Sequence, residues 1–129
     1  MIVNGTFEIS MHPEPPYDAI DGVTLARVRF DKRFVGPLDA TSDVNMLAAR
    51  TPVGGSAGYV AIERVTGALE GKRGTFVLQH MGVMTRGTPS LQVTIVPDSG
   101  TGELVGLSGR MDIQIVEGKH LYELDYKLR

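Results

Sequence analysis

Two polar residues stand inside apolar runs, and they are where chemistry is expected. Glu63 lies in Tyr59-Val60-Ala61-Ile62-Glu63-Arg64-Val65, and His80 in Thr75-Phe76-Val77-Leu78-Gln79-His80-Met81. A carboxyl buried among apolar side chains is expected to have its pKa raised, which suits it to give or take a proton. An imidazole beside it would shuttle that proton. If the turn at Gly71–Gly74 joins the two runs as a hairpin, Glu63 faces Gly82 and His80 faces Val65. The two side chains then become diagonal neighbours on one face. The same pair has a plainer reading, a buried ion pair that holds strand register without turnover. Tyr59, His120 and Tyr122 would add polar tips to the same interior as ligand-binding candidates. Tyr122 and Tyr126, which share a face, read equally well as core aromatics with hydrogen-bonded hydroxyls.

Other chemistries find no support. The chain has no cysteine, which removes thiolate nucleophiles, disulfides and thiolate metal sites together. Gly67-Ala68-Leu69-Glu70-Gly71-Lys72 is one residue short of a phosphate loop, and Arg73 stands where Ser or Thr is required. Ser99-Gly100-Thr101-Gly102 lies between two strand runs and reads as a hairpin loop. Neither His80 nor His120 has a His, Asp or Glu at ligand spacing on its own face. His12 has Glu14 nearby, in a Pro-rich stretch read as a solvated loop. No metal and no cofactor are expected.

The elements that must position Glu63 and His80 are strands. The chain has 129 residues, 13 Lys+Arg against 15 Asp+Glu, and a net charge of −2, enough for one domain spanning 1–129. That charge balance argues against nucleic acid and against a polybasic membrane surface. No basic n-region followed by an apolar h-region opens the sequence, so a soluble cytoplasmic protein is expected. Gly- and Pro-containing turn signals separate about eight runs of strand character: Thr6–Met11, Val23–Phe34, Leu38–Arg50, Gly58–Leu69, Thr75–Met84, Leu91–Pro97, Leu104–Val116 and Lys119–Leu128. In the last run His120, Tyr122, Leu124, Tyr126 and Leu128 share one face, the period of a half-buried strand. Long sequential strands with short connections predict an all-β fold, a single antiparallel up-and-down barrel of about eight strands. The middle runs carry apolar residues on both faces, so the outer face is expected to meet another subunit of a homo-oligomer.

Four blocks in order carry a resemblance: Tyr59–Gly67; Gly74–His80; Ser99–Leu104 with Leu107-Ser108-Gly109; and Gly118–Tyr122. Together they resemble a family of small uncharacterised bacterial proteins, a domain of unknown function. The resemblance implies the β-barrel of allene oxide cyclase and dirigent proteins. It supplies no activity, and no block matches the cyclase's catalytic residues. Three readings of function follow. The leading one is a soluble barrel binding a small, largely apolar ligand in its lumen. The others are an isomerase or cyclase using Glu63 and His80 for proton transfer, and a structural or oligomeric module with a filled barrel.

Overall fold

The computed structural model describes residues 1–129 as one antiparallel sheet that closes on itself. Its strands are β1 (Ile2–Pro13), β2 (Asp18–Ile20), β3 (Val23–Val35), β4 (Leu38–Arg50), β5 (Ala57–Leu69), β6 (Lys72–Thr85), β7 (Thr88–Ile95), β8 (Ser108–Val116) and β9 (Lys119–Lys127). Consecutive strands from β3 to β9 are neighbours, and β1 pairs with both β9 and β3 to complete an eight-strand barrel. The short β2 is an addition on the edge of β3. Asp43–Arg50 continues β4 as strand.

Tight turns set the register. Asp21-Gly22, Glu70-Gly71, Arg86-Gly87 and Glu117-Gly118 each have positive φ at both residues. That geometry matches the right-handed twist of the flanking strands. The turn between β5 and β6 therefore lies at Glu70-Gly71, not at Gly71–Gly74, and Leu69 pairs with Lys72. Glu63 stands opposite Leu78 and His80 opposite Ala61, correcting the expected partners Gly82 and Val65. The slip is an even number of residues, so both side chains keep the same face.

Gly74 serves a different purpose. A Cβ there would lie 2.0 Å from the Thr101 carbonyl oxygen. The segment 96–107 uses that space to run along the part of β6 that β7 does not cover. Its Thr101 amide donates to the Thr75 carbonyl (2.8 Å), and the Val77 amide donates to Ser99 Oγ (3.0 Å). The expected short hairpin loop at Ser99–Gly102, with a strand from Leu104, is thus a longer cap, and β8 starts at Ser108. Leu104 and Leu107 are buried where the cap folds over one end of the barrel.

The two halves of the lumen differ. Near the capped end, Phe34, Leu38, Val65, Leu69, Phe76, Leu78, Tyr122 and Leu124 are all buried. Tyr122 stands edge-on to Phe34, and its hydroxyl accepts from the Leu38 amide at 3.0 Å. Tyr126 donates its hydroxyl to Glu70, so both tyrosines are core aromatics with partnered hydroxyls. At the other end, strand alternation points Val28, Phe30, Met46, Ala48, Tyr59, Ile113 and His120 inward, yet all are only half-buried. Inward residues that still meet solvent mark the open end of the barrel.

Candidate functional site

Four adjacent strands each place one polar side chain inside the barrel, at the boundary between the filled half and the open half. Lys32 on β3 is directly opposite Ser42 on β4. Glu63 on β5 lies diagonally beyond Ser42, and His80 on β6 diagonally beyond Glu63. Strand tilt aligns the four as an oblique stripe across the wall. Glu63 is 0% exposed and His80 4%. The Lys32 side chain is 8% exposed.

Every donor in the stripe converges on Glu63. Ser42 Oγ donates to Oε2 at 2.5 Å, the Lys32 ammonium to Oε1 at 3.1 Å, and His80 Nε2 approaches Oε1 at 2.7 Å. Lys32 is also held against two rings, 4.8 Å from the Phe7 centroid and 5.7 Å from that of Phe34. Such contacts favour a cation shielded from water. Every fully buried side-chain nitrogen and oxygen of the cluster has a partner.

The electrostatics reverse the sequence expectation for Glu63. Burial pushes its carboxyl up. The His80 hydrogen bond, the Lys32 charge and the Ser42 hydroxyl together outweigh burial and hold it below the ordinary range. Glu63 is therefore a carboxylate that only accepts hydrogen bonds, and His80 Nε2 carries the proton between them. The tautomer follows from the partner. Nδ1 of His80, which is not fully buried, makes no hydrogen bond within the protein.

A pH dependence follows. The unfolded carboxyl titrates near 4.5, and the folded one below it. The stability Glu63 contributes is thus complete above about pH 4.5 and is lost as pH falls through the folded pKa, because the unfolded chain then binds the proton more readily. The urea midpoint should fall on acidification from pH 6 to pH 3. It should fall less in a Glu63→Gln, Lys32→Met double variant. Equal falls in both proteins would remove Glu63 from the explanation.

The remaining candidates are scattered. Tyr59 is on the same strand face as Glu63 but two inward positions nearer the open mouth. Burial and the Glu63 charge raise its pKa. His120 also faces inward, its ring 5.1 Å from that of Phe7, so it reaches the cluster only through Phe7 and Lys32. Tyr122 is in the filled half, committed to Leu38. His12 is not in a loop: it is the penultimate residue of β1, and its Nε2 is 2.8 Å from Asp31 on β3. That hydrogen bond draws the Asp31 pKa down. Arg64 points outward, away from Glu63.

Lys32 and Ser42 were not among the expected site residues, although a signal for both exists. Phe30, Lys32 and Phe34 share one parity, as do Ala40, Ser42 and Val44. A charged or hydroxyl residue at an apolar parity is a candidate for a buried partner.

No group of three or more His, Asp or Glu side chains is placed to hold a metal ion. No helix is long and apolar enough to cross a membrane.

A family model described as a protein of unknown function (DUF3224) matches residues 3–126. A crystal structure of a DUF3224 protein of unknown function from Shewanella oneidensis MR-1 is 48% identical in sequence. The match covers 100% of this chain and 98% of that one, with a TM-score of 0.95. No curated protein matches the sequence.

Proposed function

The chain belongs to the DUF3224 family, whose description names no activity, and we propose from the lumen itself that it binds a small, largely apolar molecule carrying one O–H group. The observation that carries this reading is the ring of half-buried inward residues above a buried polar floor. Val28, Phe30, Met46, Ala48 and Ile113 would surround an apolar body, and an apolar wall with few polar anchors is the usual make-up of a ligand site. With Nε2 donating to Glu63, Nδ1 of a neutral His80 is an acceptor, which suits a hydroxyl or acid O–H on the ligand. Kinship with the allene oxide cyclase barrel remains part of this proposal, supported by the up-and-down closure of eight strands. A cytoplasmic location belongs to it too and rests on the sequence expectation.

One observation favours an enzyme as the second reading. Glu63 orients His80 while leaving Nδ1 unpaired, the arrangement in which a carboxylate positions a general base. In an isomerase or cyclase of this kind, His80 would take the proton and Glu63 would only position it, since a carboxyl held ionised is a poor acid. A fully filled structural barrel fits less well with inward residues that still meet solvent at the open end.

Native mass spectrometry of the protein as purified tests the binding reading, followed by titration with the apolar fluorophore anilinonaphthalene sulfonate. The expected result is a retained adduct or a saturable probe site that Ala48→Phe, which fills the mouth, removes without loss of folding. No adduct together with probe binding unaffected by Ala48→Phe would overturn it.

A further inference from the structure

The barrel wall has one weak seam. β7 and β8 are neighbours, yet they are joined at a single residue pair, Thr94 with Arg110. The next shortest ladder of the barrel, β1 with β9, runs unbroken from Ile2 to Phe7. Beyond Thr94 and Arg110 the two strands part. Residues 88–93 pair only with β6, and residues 111–116 only with β9. Two facing strand edges therefore carry backbone N–H and C=O groups that no ladder uses. A cavity of about 550 Å³ opens there, with Leu91 on one side and Met111 and Ile113 on the other. Leu91 and Ile115 hold inward positions by strand alternation, yet they are 40% and 68% exposed.

We propose that this seam takes up an extended peptide segment of a partner protein, one in which basic residues alternate with apolar ones. The backbone groups of an open sheet edge recognise a chain by adding it as a strand. The side chains of the seam select its sequence. A segment paired antiparallel with residues 111–116 turns alternate side chains to the two faces of the sheet. On the inner face they meet Leu91, Ile113 and Ile115, which calls for apolar residues. On the outer face they meet Asp112, which is exposed. Glu123 stands directly across the β8–β9 ladder from it, and Asn4 follows on β1. Like charges directly opposite each other destabilise a sheet. Neither carboxylate is in an ion pair, and their row holds no cation: Arg110 is across from Asp125, and Lys119 across from Val116. A Lys or Arg set beside Asp112 by the added strand relieves that repulsion, whereas an acidic segment would worsen it.

Fluorescence anisotropy of the whole chain with a labelled peptide of three Lys-Val repeats tests this. A Glu-Val counterpart removes the charge match, and a fully N-methylated Lys-Val peptide removes the backbone donors. The Lys-Val peptide is expected to bind saturably with a Kd below about 100 μM, and the other two at least about tenfold more weakly. Asp112→Lys, at an exposed position, should keep the wild-type circular dichroism spectrum and melting temperature. It should bind the Lys-Val peptide at least about tenfold more weakly and the Glu-Val peptide more tightly than the wild type does. Nuclear magnetic resonance should find the amides that shift on binding in residues 88–93 and 111–116. No saturation by about 1 mM, equal affinity of the wild type and Asp112→Lys, or shifted amides elsewhere overturns the proposal. A chain that dimerises without peptide, with those same amides shifted, overturns it in favour of a second copy in the seam.

Discussion

Replacing Glu63 with Gln is expected to destabilise the barrel by about 3–5 kcal/mol, the cost of leaving a buried charge without its partner. The amide keeps the shape and accepts one hydrogen bond, but it gives the Lys32 ammonium no counter-charge. Lys32 cannot move out to water easily, because its side chain is 8% exposed and packs over Phe7 and Phe34. A domain of this size has only about 5–15 kcal/mol of total stability, so the variant should melt far below the wild type or fold incompletely. Adding Lys32→Met should recover most of the loss, since an apolar side chain of similar length removes the orphaned charge. Urea midpoints for the wild type, both single variants and the double variant decide the matter. A Glu63→Gln loss under about 1 kcal/mol would mean that Lys32 finds solvent, and the cluster would then not be a buried ion pair.

Phe34→Ala should cost about 3–5 kcal/mol, for a different reason. The ring is 0% exposed and lies between the filled half and the polar stripe. It touches Phe7 at a centroid distance of 5.4 Å, takes the edge of Tyr122 at 5.6 Å, and lies beneath Lys32 at 5.7 Å. Removing it leaves a void that rigid strands on either side cannot close, and it strips one ring from the ammonium. The effect should therefore couple to the polar cluster. Combined with Lys32→Met, the total loss should differ from the sum of the single losses by at least about 0.5 kcal/mol. Strict additivity would show that the ring only fills space.

Individual elements show how far the residues alone reach. The alternation of His120, Tyr122, Leu124, Tyr126 and Leu128 places all but the terminal Leu128 on a strand with one face inward. The expected Leu38–Arg50 run coincides with β4 residue for residue. The gain in ending the turn at Glu70-Gly71 is a matter of backbone φ, and a glutamate with positive φ leaves no compositional mark. For that reason the partners of Glu63 and His80 were misplaced while their common face was right. The cap over the barrel end was similarly hidden. Gly74 has its role only because Thr101 approaches it, and the two are 27 residues apart in the chain.

What the sequence determined by itself was local: the period of two along each strand, the chain reversals at Gly-containing turns, the barrel they imply, and the presence of Glu63 and His80 at inward positions. These follow from side-chain parity and backbone preference, which act over a few residues. The ionisation of Glu63 was decided only by tertiary structure. Burial alone would raise its pKa, and the opposite result comes from the His80 hydrogen bond together with Lys32 and Ser42, brought together from β6, β3 and β4 by sheet pairing and strand tilt. Electrostatic energy depends on distances through space between groups far apart in the chain, so the chemistry of this lumen takes shape only when the sheet closes.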